Sequence, residues 1–340
     1  MRRRRIRLAA RPVGAVRPAD FSQVTETVPA LRDGQALLRN RYLSIDPAIR
    51  GWMSSGASYI KPVALGAVMR SAALSEVVAA RSHPSLTVGQ LVVGLSGWED
   101  YSIVGADFLG RVLPPELPLP LTNALSVLGG NGLTAYFGLL EVGQPQPGQT
   151  VLVSAAAGGV GSIAGQLARL HGCRAVGLTG TARKCAWLTD VLGFDAAINY
   201  KDARAGDGIH AAVRAACPSG VDVFFDSVGG DVLDAGLGLI NVGARVVICG
   251  AISQINATTL PPGPANYIRL LTKRARMEGF VTLDYADRWQ AASDRLARWV
   301  LAGEILHREH IIDGLEQAPA ALIGMLRGEN MGKTMVRLLR

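Results

Sequence analysis

A glycine-rich turn between a strand and a helix is the feature of this sequence with the clearest chemical meaning. Residues 150–154 form a short apolar run typical of a buried strand, and a helical pattern begins near Gly159. Between them, Ala156, Gly158 and Gly161 occupy the spacing of the GxGxxG motif, with alanine at its first glycine. The N-terminus of a helix presents free N–H groups and the positive end of a dipole, and both favour phosphate. The turn therefore predicts a dinucleotide pyrophosphate site, the alternative being a tight turn that binds no ligand.

The residues that follow the second strand predict which dinucleotide is bound. A site for NAD places Asp or Glu there to hold the ribose 2′-hydroxyl, but residues 177–184 contain no acid. Arg183 and Lys184 open the next helix instead, and two cations can pair with a 2′-phosphate. We therefore expect NADPH as the cofactor, the alternative being that both cations form a solvated helix face.

The chain is poor in residues for metal or nucleophilic chemistry. Its first 172 residues contain no cysteine and only two histidines, His83 and His171, so a catalytic zinc is hard to build there. Glu304, His307 and His310 have helix-like spacing, but solvated side chains near a helix end explain that spacing better. The sequence also lacks a G-x-S-x-G elbow. We expect no metal, and we expect a cofactor to supply the difficult chemistry.

Alternating strand and helix patterns position the glycine-rich turn. Continuous apolar strands separated by helices are typical of a parallel sheet covered on both faces. The first 120 residues instead show short strands broken by prolines, which predict a β-rich module. The predicted strands are 35–42, 73–80, 89–94, 150–154, 174–178, 196–199, 221–226, 244–249, 277–281, 310–312 and 334–338, and the predicted helices are 122–140, 160–170, 183–192, 232–239, 285–302 and 315–326.

Length and composition restrict the class of protein. A chain of 340 residues fits about two domains of roughly 150 residues each, and 49% hydrophobic residues exclude a largely disordered chain. No uninterrupted apolar run reaches about 18 residues, so we expect no membrane partner. Cys173, Cys185, Cys217 and Cys249 are far apart and form no CxxC pair, which favours a reducing, cytoplasmic location.

The net charge of +8 raises the question of nucleic-acid binding. Part of the excess lies in the run MRRRRIR at residues 1–7, whose apolar continuation is too short for a signal peptide. The other arginines are dispersed, and aromatic residues make up only 6% of the chain, so no stacking platform for bases is evident. We expect a solvated, arginine-rich surface and no nucleic-acid partner.

Several short phrases along the chain carry a family resemblance. They are RNRYLSIDP at 39–47, GAVMR at 66–70, GLTAYFG at 132–138, AAAGGVG at 155–161, CGAIS at 249–253, LPPGP at 260–264, MEGF at 277–280 and GENMGK at 328–333. With them, the whole chain resembles the zinc-independent medium-chain dehydrogenase/reductases, in the branch of prostaglandin reductase, leukotriene B4 dehydrogenase and curcumin reductase.

The resemblance implies an α/β fold: a Rossmann doubly wound parallel sheet plus a GroES-like β-rich domain. It places the GroES-like substrate domain at residues 1–122 and 303–340 and the Rossmann domain at 123–302. It implies NADPH-dependent reduction of the carbon–carbon double bond of α,β-unsaturated ketones and aldehydes, and a homodimer. Its rivals are a zinc-free quinone reductase of the same superfamily and a nucleotide-sensing or RNA-binding protein that keeps the fold without turnover.

The resemblance also implies which residues bind the cofactor. Lys184 and Tyr200 would meet the 2′-phosphate, and Ser227 stands where relatives often have an asparagine facing the cofactor. The other implied residues are Gly158, Gly159, Val160 and Gly161 at the pyrophosphate and Cys249, Gly250, Phe280, Val281 and Asn330 at the nicotinamide half. The alternatives are a packed strand for Phe280 and Val281 and a simple turn for Asn330.

Substrate choice and the catalytic donor are less determined by the resemblance. Ala48, Ile255 and Thr272 stand where relatives often have tyrosine, so the pocket differs from theirs. An enolate formed during reduction needs a hydrogen-bond donor, and a phenol with a pKa near 10 stays protonated at neutral pH. The donor could be the cofactor ribose hydroxyl, a backbone N–H or a tyrosine hydroxyl. Among the tyrosines we name three candidates, each of which could also be a packed or surface residue: Tyr59, Tyr267 and Tyr136.

Overall fold

The computed structural model describes residues 1–56, 58–116 and 119–338. The chain divides into two compact units, which are described separately below. The first unit contains residues 1–125, 309–330 and 334–340, and the second contains residues 126–308 and 331–333.

The strands and helices of the described residues are numbered in chain order. The strands are β1 Arg2–Leu8, β2 Phe21–Thr27, β3 Gln35–Ile45, β4 Arg70–Arg81, β5 Leu91–Gly97, β6 Tyr101–Val104, β7 Gly110–Val112, β8 Thr150–Val153, β9 Arg174–Thr179, β10 Ala196–Asn199, β11 Val221–Asp226, β12 Ile240–Ile248, β13 Arg276–Gly279, β14 Glu309–Asp313 and β15 Lys333–Arg337. The α-helices are α1 Ala48–Trp52, α2 Gly130–Tyr136, α3 Gly161–Leu170, α4 Ala182–Ala186, α5 Tyr200–Ala205, α6 Ile209–Ala216, α7 Gly230–Leu237, α8 Arg269–Thr272, α9 Trp289–Leu301 and α10 Ala318–Leu326.

The second unit is built on a parallel sheet. Within the described residues this sheet has six strands in the order β10-β9-β8-β11-β12-β13, and every neighbouring pair is parallel. All four residues of β8 are buried, and its neighbours carry buried apolar side chains such as Val176 and Phe224. Apolar side chains on both faces need helices on both faces, which explains the alternation of strands and helices. The expected doubly wound Rossmann sheet is confirmed.

The first unit is rich in antiparallel β-structure. Its main sheet follows the order β14-β15-β3-β4-β5-β7, with β6 also paired to β3, among the residues that the structure describes. The late strand β15 pairs with β3 in the register Met335 to Ser44, so the end of the chain completes a sheet begun near its start. Trp98, Leu43 and Leu322 lie in the hydrophobic core beneath it. The expected β-rich companion of the Rossmann sheet is confirmed.

The arginine-rich N-terminus does not form the expected solvated surface. Arg2–Leu8 is strand β1, and Arg3 is only 6% exposed. The Arg3 guanidinium lies 2.8 Å from a Glu26 carboxylate oxygen, and Arg5 Nε lies 2.6 Å from Glu99 Oε2. The expectation was wrong here because the neutralising carboxylates come from positions far along the chain, where no local pattern reveals them.

Two predicted helices are interrupted. Tyr285 has non-helical backbone angles inside a 3-10 segment, Thr282–Arg288, and the regular helix α9 begins only at Trp289. The indole N–H of Trp289 donates to the Thr282 carbonyl at 2.8 Å, which stabilises this break. The predicted helix at 122–140 is likewise divided, and it ends in a π-helical turn, Phe137–Gly143. In the described part of the chain, no helix is both long and apolar enough to cross a membrane.

Candidate functional site

The strand order of the second unit predicts where a ligand would bind. The chain proceeds from β8 toward β10 on one side and from β11 toward β13 on the other, so the order reverses between β8 and β11. In open parallel sheets, ligands bind outside the carboxyl ends of the strands at this point of reversal. The glycine-rich turn directly follows β8, and Ser227 directly follows β11. Both predicted segments therefore meet at the reversal point.

The glycine-rich turn has the geometry of a phosphate-binding turn. A side chain cannot be placed on Gly161, because a Cβ there would lie 2.5 Å from the Ala155 carbonyl oxygen. Ala155 itself adopts a left-handed conformation with φ of 47°. Among the described residues, the N–H groups of Val160 and Gly161 donate to no backbone carbonyl. These N–H groups, at the start of the ten-residue helix α3, can bind an anion.

A buried carboxylate joins the two strands at the reversal point. Asp226 is fully buried, and its side chain accepts hydrogen bonds from the Ser154 hydroxyl at 2.6 Å and from the Gly229 N–H at 2.8 Å. Ser154 Oγ in turn accepts from the Ser227 N–H at 2.8 Å. Burial raises the pKa of Asp226, against the hydrogen bonds from Ser154, Val228 and Gly229 that lower it. This network holds the turn after β11 against the end of β8.

The residues predicted to bind the 2′-phosphate follow β9 and β10. These strands are parallel neighbours, so the residues after them leave the sheet at the same edge. Thr181 caps helix α4, where Lys184 is half-buried and Arg183 is exposed. Burial lowers the pKa of Lys184, and the charge of Lys201 lowers it further. Tyr200 begins helix α5, which directly follows β10.

Some of the residues predicted for the nicotinamide half follow β12 and β13. They also lie where the strands of the sheet have their carboxyl ends. The N–H groups of Cys249 and Gly250 both donate to the Asp226 carbonyl, at 2.7 and 3.3 Å. Burial raises the pKa of the Cys249 thiol to about 11, despite a hydrogen bond with the Ser227 side chain that lowers it. The thiol is therefore protonated at neutral pH and is a poor nucleophile. Phe280 follows β13, and its ring and the ring of Phe225 both lie against Gly138, where a side chain would meet them.

The three candidate tyrosines and Asn330 occupy different environments. Tyr136 packs in an aromatic cluster, with its ring centroid 5.3 Å from that of Phe137, and its hydroxyl lies 3.5 Å from an Arg295 nitrogen. Tyr267 is 62% exposed on a 3-10 segment of the second unit. Tyr59, 59% exposed, and Asn330 belong to the first unit. Val281, also predicted for the nicotinamide half, is partly buried between β13 and the following 3-10 segment.

Three features of the site were not predicted from the sequence. Ser154 and Asp226 are 72 positions apart, and only the strand order brings them together. The Gly332 N–H donates to the Ala157 carbonyl at 2.9 Å, so Gly332, which belongs to the second unit, contacts the glycine-rich turn. The side-chain amide of Asn131 also lies against this turn: its nitrogen is 3.0 Å from the position that a Cβ on Gly159 would occupy. A search for polar residues beside glycine pairs would have suggested Asn131, which follows Gly129 and Gly130.

A metal centre has no support in the part of the chain that the structure describes. No group of three or more His, Cys, Asp or Glu side chains there has an arrangement that could hold a metal ion.

Comparison with known proteins agrees with this geometry over the whole chain. Residues 4–112 match a family model described as the N-terminal domain of oxidoreductase, and residues 159–298 match one described as zinc-binding dehydrogenase. The chain is 43% identical to the NADPH-dependent curcumin reductase of Escherichia coli K12, covering 99% of this chain and 97% of that protein. It is 40% identical to prostaglandin reductase 1 of Bos taurus, covering 96% of each. The solved structure of CurA from Vibrio vulnificus in complex with NADPH has a TM-score of 0.93, 41% identity and 99% coverage of both chains.

Similarity of this extent covers both units and includes the glycine-rich turn and Gly332. The resemblance expected from the sequence is confirmed. The chain belongs to the medium-chain dehydrogenase/reductases, in the branch that contains the curcumin and prostaglandin reductases.

Proposed function

We propose that this protein reduces the carbon–carbon double bond of α,β-unsaturated ketones and aldehydes with NADPH. The observation that carries the proposal is whole-length identity of 40–43% with an NADPH-dependent curcumin reductase and a prostaglandin reductase. The quinone-reductase and non-catalytic alternatives have no comparable support in this set of relatives.

The second unit fits NADPH. The N–H groups of Val160 and Gly161 at the start of α3 would bind the pyrophosphate, together with the turn residues Gly158 and Gly159. At the carboxyl ends of β9 and β10, Arg183, Lys184 and Tyr200 would hold the 2′-phosphate. Ser227, Cys249, Gly250, Phe280, Val281 and Asn330 would line the nicotinamide half.

When bound, NADPH supplies a hydride to the β-carbon of the substrate. The protein's task is then to stabilise the oxygen on which negative charge develops, an effect typically worth about 3–4 kcal/mol. A tyrosine hydroxyl performs it by donating a hydrogen bond, and we assign this role to Tyr59 or Tyr267, with Tyr136 as the third candidate. Solvent protonates the α-carbon, so neither a dedicated acid nor a metal is required.

Cofactor oxidation with a panel of acceptors tests the reaction class. We expect NADPH oxidation with simple enones and enals, and little with quinones. A preference for quinones would instead establish the quinone-reductase alternative. If no acceptor supports turnover and RNA binds tightly at physiological salt, the non-catalytic alternative holds. Calorimetry completes the test: we expect NADPH to bind much more tightly than NADH, and equal affinity would refute the cofactor assignment.

Phenylalanine substitutions test the donor. Tyr59→Phe and Tyr267→Phe each remove one hydroxyl and leave the ring in place. We expect one of them to lower kcat/KM for enones by about 100-fold or more. Tyr136→Phe serves as the comparison, because that hydroxyl already lies beside Arg295. If neither Tyr59→Phe nor Tyr267→Phe changes kcat/KM, the assignment of the donor to these two residues is wrong.

The edge of the Rossmann sheet supports a homodimer. Strand β13 lies at this edge, and all four of its residues are exposed. An exposed edge strand is a template for pairing with another strand. Two copies of β13 paired antiparallel about Met277 would set Arg276 directly opposite Glu278 of the second copy, and opposite charges in such pairs are favourable. Exposed apolar residues before β13 would extend the interface: Leu260, Ile268 and Leu271.

Two organisational proposals complete the assignment. The substrate domain comprises residues 1–122 and 303–340, and the Rossmann domain comprises residues 123–302. The location is the cytoplasm, a proposal supported by four cysteines that are all free thiols.

A further inference from the structure

The turns at the carboxyl ends of β9 and β10 bring together residues to which the family resemblance did not assign a shared role. In the parallel register, Asn199 lies beside Thr179, so Gly180 and Tyr200 leave the sheet next to each other. The Tyr200 ring lies over the turn that follows β9. Its hydroxyl oxygen is 3.2 Å from the position that a Cβ on Gly180 would occupy. The two turns therefore form one continuous surface, although 20 residues separate them in the chain.

Two lysines stand on this surface. Lys184 lies on α4 after β9 and is half-buried, and Lys201 lies on the first turn of α5 after β10 and is exposed. Lys201 is near enough for its charge to act on Lys184, and together with burial it lowers the pKa of that lysine. Keeping two cations in mutual range costs free energy, and an anion bound between them would offset that cost.

Two other charged groups near these turns, Arg204 and Asp202, have partners of their own. Arg204 pairs with Asp231 at 2.6 Å, and its guanidinium carbon lies 5.3 Å from the centroid of the Tyr200 ring. The Asp202 carboxylate accepts a hydrogen bond from the Asn199 side chain at 2.5 Å.

We propose that Lys201 is a specificity-determining residue that binds the 2′-phosphate of NADPH together with Lys184. This inference rests on the proposed function, because it names a further residue for the cofactor of that function. The two lysines stand on helices that follow neighbouring strands, so one phosphate could be reached from α4 and from α5. The phosphate carries nearly two negative charges at neutral pH, which matches two lysines.

The experiment compares two probes that differ by one phosphate. Adenosine 2′,5′-bisphosphate and 5′-AMP are titrated calorimetrically into the wild-type protein, Lys201→Met and Lys201→Arg. We expect Lys201→Met to weaken the bisphosphate by about 10- to 100-fold, as for one lost charge-assisted hydrogen bond, and to leave 5′-AMP unchanged. We expect Lys201→Arg to retain most of the affinity, because it keeps the charge.

A control variant measures the effect of charge alone. Arg214 is exposed on α6, which leads into the amino end of β11, so it lies toward the opposite edge of the sheet. We expect Arg214→Met, which also removes one positive charge, to change the bisphosphate affinity less than threefold. A second variant, Gly180→Ala, displaces the Tyr200 ring and should weaken the bisphosphate but not 5′-AMP.

The outcomes separate this inference from the proposed function. If the wild-type protein binds both probes equally, the NADPH preference itself is wrong. If the wild-type protein prefers the bisphosphate and Lys201→Met does so equally, the preference stands and the role of Lys201 is refuted. Equal weakening of both probes by Lys201→Met would also refute it, because a phosphate-specific contact cannot affect 5′-AMP.

Discussion

The hydroxyl group of Ser154 donates to the carboxylate of Asp226 at 2.6 Å, and this bond joins the ends of β8 and β11 at the point where the strand order reverses. The same two strands are joined at their other ends, where the Thr150 N–H donates to Asp222 Oδ2 at 2.8 Å. This pair of strands thus has one Asp-mediated bridge at each end. Only the bridge at the carboxyl edge adjoins the glycine-rich turn.

These paired bridges give a prediction with its own control. Asp226→Asn replaces one acceptor oxygen with an NH2 group, so either the Gly229 N–H or the Ser154 hydroxyl loses its acceptor. We expect this variant to lose roughly 1–3 kcal/mol of unfolding free energy, measured with urea, and to bind NADPH more weakly. Asp222→Asn should also lower the unfolding free energy but leave NADPH affinity unchanged. If both variants weaken NADPH equally, the bridge at Asp226 has no specific role in positioning the site.

Close packing at the glycine-rich turn gives a second prediction. In Gly161→Ala the new methyl group would meet the Ala155 carbonyl oxygen and the Ala156 Cα, so the turn must deform. We expect weaker NADPH binding by at least about tenfold, together with a lower melting temperature, because overpacking typically costs about 1–3 kcal/mol. Gly130→Ala is the control: nothing lies within 4 Å of its Cβ position on α2. Unchanged NADPH binding in Gly161→Ala would contradict the proposed pyrophosphate site.

Charge exchange tests the proposed dimer. We expect the wild-type protein to elute as a dimer in size-exclusion chromatography with light scattering. Arg276→Glu should shift it toward monomer, because two acids would then oppose each other across the paired β13 strands. The double variant Arg276→Glu with Glu278→Arg should restore the dimer, since it exchanges the charges and keeps their complementarity. A wild-type monomer, or a single variant that remains dimeric, would show that β13 does not form the interface.

The thiol of Cys217 predicts how stability changes at alkaline pH. Cys217 is 2% exposed in the core of the second unit, and burial raises its pKa from 9.0 to about 11. Between these values the unfolded chain loses the proton while the folded protein keeps it, so the unfolding free energy falls as pH rises from 9 toward 11. The full difference is worth roughly 2–3 kcal/mol. Urea unfolding of wild type and Cys217→Ala measures this, and we expect a smaller decline in the variant; parallel curves would contradict the prediction.

Local patterns were sufficient for much of the fold and for the class of site. Apolar runs such as β8 and β11 need burial on both faces, so the parallel sheet follows from their composition and spacing. The phosphate turn is equally local, since Gly158 and Gly161 and the helix start lie within a few residues of one another. The absence of an acid after β9 indicated the cofactor for the same reason. Each of these inferences depends on neighbours along the chain.

Relationships between distant residues came only from the tertiary structure. The partners of Arg3, the bond from Ser154 to Asp226 and the approach of Lys201 to Lys184 all depend on strand order and register. Many strand orders bury the same apolar surface about equally well, because burial is non-directional. Hydrogen bonds and ion pairs instead require particular distances, and those distances exist only after the strands have paired.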